Sequence, residues 1–134
     1  MWRYLLSLGI LVATQVDADG VPERVELTPE LAAELGFGVE DIGSSPRTHR
    51  ELRITFPLSD PHGCHPGRVQ TFLLDHSGTQ LSESSFDYVV TGPSAELLIG
   101  YEPATNDMAV FLQYCCVGQG CEFAYSISSI SEFL

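Results

Sequence analysis

Hydrophobic and polar positions alternate along much of the chain, most regularly over residues 108–127. Two β-favouring runs there flank Val117-Gly118-Gln119-Gly120, whose glycines allow the positive φ angles of a short hairpin loop. In one pairing register, every cross-strand pair on one face is apolar or aromatic. These pairs are Tyr114 with Phe123, Leu112 with Tyr125, and Val110 with Ile127. A slip of one residue would mix the faces, so the pattern predicts this hairpin with one face on a core.

Further strands are predicted on both sides of a turn-rich middle segment. Residues 47–56 alternate, with Leu52, Ile54 and Phe56 on one face and Pro57 ending the strand. Prolines and glycines mark residues 59–67 as a loop. Other β-favouring runs are residues 37–42, 69–74, 79–82, 86–90 and 97–101. Residues 19–26 are predicted to be a polar lead-in, and residues beyond Ile127 to be a strand continuation or a tail.

One short helix is predicted near the start of this pattern, over residues 30–35. Thr28 is a suitable N-cap, and Gly36 suits the left-handed position that ends a helix. Leu31 and Leu35 lie four residues apart and form one apolar stripe. A helix this short is not stable alone, so we expect it to dock through these two leucines.

Together the elements predict a mainly β fold. Short strands separated by turn signals are typical of a small antiparallel β-sandwich or barrel-like domain, here with one short N-terminal helix. No long helical pattern separates the strands, which disfavours a parallel α/β sheet.

The first 18 residues have the pattern of a secretory signal peptide. One arginine precedes a short apolar run, and Val16-Asp17-Ala18 forms a small-x-small cleavage site. The apolar run is too short to cross a bilayer, and no other stretch is long enough. We therefore expect residues 1–18 to be removed and residues 19–134 to form a single disulfide-stapled β-rich domain, exported to the periplasm or the extracellular space.

The charge balance is strongly acidic, with 18 acidic against 6 basic residues and a net charge of −12. Phosphate backbones and anionic membrane surfaces repel such a surface, so nucleic acid and membranes are not expected partners. Acidity permits cationic partners or metal ions, although on its own it accounts only for solubility.

Four cysteines permit three disulfide connectivities. Cys115 and Cys116 are adjacent and point to opposite faces of a strand, so they should not bond each other. In the register above, Cys116 faces Cys121, which leaves Cys64 for Cys115. The sequence therefore predicts Cys116–Cys121 and Cys64–Cys115. A β-bulge at Cys115-Cys116 would turn the side chains and could exchange these partners.

Two chemical alternatives centre on the loop at residues 59–67. His62, Cys64 and His65 could bind zinc or copper, although their spacing matches no established metal motif. Cys64 could instead act as a nucleophile beside His62, His65 or His76, but adjacent residues rarely give that geometry. Acidic residues in turns, such as Asp60, could bind calcium but are usually turn formers.

The leading hypothesis is a small exported β-sandwich that acts as a non-catalytic binding or accessory module. Its partner is expected to be a protein met through an exposed strand edge or a loop. No catalytic residues and no cofactor are assigned in this interpretation. The alternatives are a zinc- or copper-binding exported protein that uses His62, Cys64 and His65, and a hydrolase or thiol enzyme whose site the sequence does not reveal.

Overall fold

The computed structural model describes residues 15–16, 22–44 and 50–134. Of the predicted signal peptide, only Gln15–Val16 is described, so the signal peptide stays a prediction. The first residues of the strand predicted at 47–56 also lie outside the described ranges. The described elements are β1 (Gln15–Val16), β2 (Pro22–Glu26), α1 (Pro29–Leu35), β3 (Gly38–Ser44), β4 (Arg50–Pro57), β5 (His65–Leu74), β6 (Gln80–Phe86), β7 (Val89–Thr91), β8 (Ser94–Tyr101), β9 (Asp107–Cys116), β10 (Gly120–Ile127) and a 3₁₀ turn (Ile130–Phe133).

Two sheets packed together form the domain, which confirms the predicted β-sandwich. One sheet has six strands in the order β1-β2-β10-β9-β5-β6, and the other has four in the order β3-β4-β8-β7. Neighbouring strands are antiparallel except β2 and β10, which are parallel. The inner face of each sheet is the face towards the other sheet, and the outer face is the opposite one.

The central hairpin β9–β10 has the predicted register over most of its length. Tyr114 pairs with Phe123, Leu112 with Tyr125, and Val110 with Ile127. All of these side chains are buried on the inner face. Complete burial of a large apolar side chain contributes about 1.5–3 kcal/mol, so this face makes a large contribution to the core.

The core lies between the hairpin and the four-stranded sheet. Leu52, Ile54 and Phe56 of β4 are almost fully buried, as their alternation predicted. Tyr114 of β9 also joins the two sheets directly, because its hydroxyl donates a hydrogen bond to the Pro57 carbonyl oxygen at 2.5 Å.

Helix α1 confirms the predicted capping. The Thr28 side chain accepts a hydrogen bond from the Leu31 N–H at 3.1 Å, and Gly36 ends the helix at φ 90°. Leu31 and Leu35 pack against the core but remain partly exposed. The buried residue of the helix is Ala32, on the same side as the two leucines. The predicted apolar stripe did not include it.

Several boundaries differ from those that the sequence predicted. Part of the polar lead-in forms β2, which joins the sheet beside β10. Strand β5 begins at His65, so the preceding loop is shorter than predicted. The run at 86–90 is not one strand, because the chain leaves β6 at Phe86 and starts β7 in the other sheet at Val89. Beyond Ile127 the chain forms a 3₁₀ turn that buries Ile130.

Candidate functional site

The loop between β4 and β5 is organised around a buried carboxylate. Asp60 is 5% exposed. Its Oδ1 accepts hydrogen bonds from the backbone N–H groups of His62 (3.0 Å) and Cys64 (2.8 Å). Its Oδ2 accepts the Tyr125 hydroxyl at 2.6 Å. Burial of a carboxylate is costly unless it is hydrogen-bonded, and here both oxygens have partners, so Asp60 anchors the loop on the hairpin.

The two tyrosines behind this loop are held in the neutral state. Burial, followed by the nearby charge of Asp60, raises the pKa of Tyr114 above its usual range. The pKa of Tyr125 is also raised, first by burial and then by its hydrogen bond to Asp60. As neutral hydroxyls they donate hydrogen bonds to fixed acceptors and so stabilise the fold. Because their pKa values are raised, they are poor general bases near neutral pH.

All four cysteines form disulfides, but the predicted partners were wrong. The bonds are Cys64–Cys116 and Cys115–Cys121. Within the described chain no cysteine is free. Disulfides of this kind are typical of proteins in oxidising, exported environments.

A bulge in β10 explains the exchange of partners. Gly120 pairs with Cys116 and Phe123 with Tyr114, so Cys121 and Glu122 together lie opposite Cys115. Two residues against one is the arrangement of a β-bulge. The extra residue brings Cys121 to the outer face beside Cys115, which leaves Cys116 on the inner face for Cys64.

The three predicted ligands of the metal alternative each have other partners in the structure. The sulfur of Cys64 is bonded to Cys116, so it is neither a thiolate ligand nor a nucleophile in this structure. The His62 ring packs edge-on against Phe123 at 5.8 Å between ring centres, and His65 Nδ1 lies 3.0 Å from the Leu58 carbonyl oxygen. In the described ranges, no group of three or more His, Cys, Asp or Glu side chains converges. Binding of zinc or copper at this loop is not tested by the structure and stays a prediction.

A second bulge lies next to the first, on the other side of β9. Gly67 and Arg68 of β5 together face Gln113, whose side-chain oxygen accepts the Arg68 N–H at 3.1 Å. A Cβ at Gly67 would lie 2.9 Å from both Cys115 Sγ and Gln113 Oε1. Position 67 therefore needs glycine for close packing of the outer disulfide on β5, a reason that the sequence did not reveal.

A cleft of about 410 Å³ opens beside this bulge. It lies where β6 ends and the chain crosses to the other sheet, between Arg68, Asp87, Tyr88 and Gln113. The Tyr88 hydroxyl donates to the Pro66 carbonyl oxygen at 3.0 Å, and its ring packs edge-on against Phe56. Tyr88 thus fixes the crossing point at which β7 starts.

Strand β7 carries two strongly exposed apolar side chains at a sheet edge. Val89 is 65% exposed, Val90 57%, and Leu98 on the neighbouring strand β8 53%. We call these three residues the apolar edge. A two-residue turn, Gly92-Pro93, joins β7 to β8, and Gly92 has the positive φ of 71° that such turns require.

On one side of β7, no strand among the described residues pairs with its backbone. Within the described part of the chain, β7 pairs only with β8 and ends the four-stranded sheet. In a two-residue hairpin the pair next to the turn, here Thr91 and Ser94, exchanges both hydrogen bonds. The N–H and C=O of Val90 therefore point towards the free edge, where an added strand can pair with them.

Comparison with protein-family models, curated proteins and solved structures finds no match to this chain. Among the described residues, no helix has the length and apolar character that a membrane span needs.

Proposed function

We propose that the protein is an exported, non-catalytic binding module of the periplasm or extracellular space. In this proposal it takes up an extended, basic segment of a protein partner along the free edge of β7. The single observation that carries the proposal is the apolar edge, because exposed apolar side chains there accompany an unpaired strand backbone. Pairing with such an edge is a recurrent mode of peptide recognition, in which the backbone gives affinity and the side chains give specificity.

The apolar edge offers contacts on both faces of an added strand. Val89 pairs with Glu96 on the outer face, and Leu98 follows two residues later on the same face of β8. Val90 pairs with Ala95 on the inner face. An incoming strand with alternating side chains would cover Val89 and Val90 from the edge.

The charges around the apolar edge favour a basic partner. Glu96 lies beside Val89, and Asp87 precedes β7 and is exposed. Arg53 on the same outer face forms ion pairs with Glu40 at 2.8 Å and with Glu96 at 3.7 Å, so these three side chains together keep a net negative charge. With a net charge of −12, the protein attracts a segment that presents both valine-like residues and Lys or Arg on the same face of the strand.

The test is a titration of the full chain with a labelled peptide of Val-Val-Lys-Lys repeats, which carries valine and lysine in turn on each face of a strand, followed by fluorescence anisotropy. We expect saturable binding that weakens with salt, and no binding of the matching valine–aspartate peptide. N-methylation of consecutive peptide nitrogens should abolish binding, because it removes the N–H donors from both edges of the peptide strand. Equal binding of the N-methylated peptide, or of the aspartate peptide, would overturn the proposal.

A double variant locates the binding surface on the protein. Val89→Ser with Leu98→Ser should weaken peptide binding by about tenfold or more, which corresponds to about 1.4 kcal/mol. Val117→Ser is the matched control, because Val117 is 89% exposed at the tip of the central hairpin, outside the apolar edge. Equal weakening by the control, or none by the double variant, would place the binding elsewhere and contradict the proposal.

A further inference from the structure

The two disulfides differ greatly in how far a reagent can reach them. Cys64 is 1% exposed and Cys116 9%, and both lie in the core. Cys121 is exposed, and Cys115 is only partly buried on the outer face. Thiol–disulfide exchange begins when a thiolate attacks a disulfide sulfur, so its rate depends on access to that sulfur.

We propose that Cys115–Cys121 is a thiol–disulfide exchange site for a dithiol reductant, and that it is reduced while Cys64–Cys116 stays intact. The proposal rests on the cysteines and the bulge in β10, and it is independent of peptide binding at the apolar edge. The dithiol can be a small molecule or the paired thiols of a redox protein, since both present the same reacting group.

The exposure of the two cysteines assigns the point of attack. Cys121 lies in the bulge beside the exposed loop of Val117 and Gly118, whereas Cys115 is covered on one side by Gly67 of β5. A reductant thiolate therefore attacks Cys121 Sγ and forms a mixed disulfide with it. The Cys115–Cys121 bond breaks, and Cys115 leaves as a thiolate that takes a proton from water.

The second thiol of the reductant completes the exchange. As its thiolate it attacks the first reductant sulfur, the mixed disulfide breaks, and Cys121 leaves as a thiolate that is then protonated. The reductant is oxidised to its own disulfide, and two electrons and two protons reach the cysteine pair.

The strand geometry prevents the exchange from passing on to the Cys64–Cys116 disulfide. Side chains of adjacent strand residues point to opposite faces, so the Cys115 thiolate lies on the outer face while Cys116 faces the core. Strand β9 is paired with β5 on one side and β10 on the other, which holds this orientation. The new thiolate therefore cannot attack the Cys64–Cys116 bond unless the hairpin opens.

Local charge favours some reductants over others. Glu122 is exposed beside Cys121, and the whole chain carries a net charge of −12. An anionic thiol is repelled by this surface and a cationic one is attracted. At low salt, cysteamine should therefore react with the site several-fold faster than mercaptoacetate, after correction for their intrinsic reactivity with a small disulfide.

The test is limited reduction of the full chain with dithiothreitol in native buffer, followed by an acid quench, alkylation of free thiols and mass spectrometry with fragmentation of the labelled peptides. We expect a species labelled only at Cys115 and Cys121, formed at least about tenfold faster than any label at Cys64 or Cys116. Cysteamine used as a monothiol should leave its adduct on Cys121. In guanidinium chloride the difference between the two pairs should largely disappear, because unfolding exposes both disulfides.

A variant without the outer disulfide identifies the fast phase. In the double variant Cys115→Ala with Cys121→Ala, the fast phase should be absent and the slow reduction of Cys64–Cys116 should persist. Simultaneous labelling of all four cysteines in native buffer, earlier labelling of Cys64 and Cys116, or a cysteamine adduct on Cys115 would overturn the proposal.

Discussion

Cys115 and Cys116 are neighbours in β9, yet their disulfides lie in opposite environments. Cys116 bonds Cys64 in the core, with a sequence separation of 52, and so ties the Asp60 loop to the hairpin. Cys115 bonds Cys121 on the outer face, with a separation of only 6, and ties a bulge to the strand beside it. The difference shows that the inner bond joins distant parts of the fold, whereas the outer bond fixes a local irregularity.

The largest expected effect comes from removing each bond in turn. In the chain-entropy model, loss of the inner disulfide costs about 4 kcal/mol and loss of the outer one about 2 kcal/mol, because the stabilisation grows with the length of the closed loop. The variants are Cys64→Ala with Cys116→Ala, and Cys115→Ala with Cys121→Ala. Denaturant unfolding of both, beside the unmodified chain, measures the two losses in free energy of unfolding.

The order of the two losses is the decisive result. The variant without Cys64 and Cys116 should be the less stable of the two. If it does not fold while the variant without Cys115 and Cys121 does, the expected order is also met. Equal losses, or a larger loss for the outer pair, would show that the inner bond does not hold the Asp60 loop to the core as described.

The hairpin shows both what the sequence could predict and where it could not. Its register followed from the alternation, because a slip of one residue would have placed polar residues such as Gln113 in the core. The disulfide partners depend on that same alternation, and one extra residue reverses it. Nothing in Cys121-Glu122 distinguishes a bulge from a regular strand, so the bulge and the pairing it sets were beyond the local pattern.

The role of Asp60 could not be predicted from the sequence, for a different reason. Asp60 looked like an ordinary turn former, and its own turn does supply two of its donors, His62 and Cys64. Its third donor, the Tyr125 hydroxyl, lies 65 residues away. The capping of α1 was predictable because all of its partners are local, whereas contacts between distant segments require the fold.

The next largest effect is a loss of stability at alkaline pH that comes from the inner face and not from the outer disulfide. The pKa values of Tyr114 and Tyr125 are raised by burial, and Asp60 raises them further, while the unfolded chain releases these protons near pH 10. The unfolded state therefore binds fewer protons above that pH, and stability present below it is lost as the pH rises. For two such groups we expect a loss of about 2 kcal/mol between pH 10 and 11.

Denaturant unfolding at several alkaline pH values measures this loss, and tyrosinate absorbance reports when the phenols ionise. The variant without Cys115 and Cys121 is the control and should show the same pH dependence, because both tyrosines lie on the inner side. Complete ionisation of the tyrosines in the folded protein, before it unfolds, would show that burial and Asp60 do not hold Tyr114 and Tyr125 in the neutral state.

The smallest expected effect tests how closely the outer disulfide packs on β5. A Cβ at Gly67 would lie 2.9 Å from Cys115 Sγ, nearer than side chains normally approach, so Gly67→Ala should cost about 1–2 kcal/mol through overpacking. In the background without Cys115 and Cys121 the sulfur is gone, although Gln113 Oε1 remains as close. The cost should therefore fall by about 0.5–1 kcal/mol, an interaction energy that a double-mutant cycle can measure. Gly38→Ala is the matched control, since a Cβ there would meet only Thr55 at an ordinary 4.0 Å, and its cost should be the same in both backgrounds. An equal cost of Gly67→Ala in the two backgrounds would show that β5 yields to the disulfide without strain, and the outer bond would then fix the bulge in β10 alone.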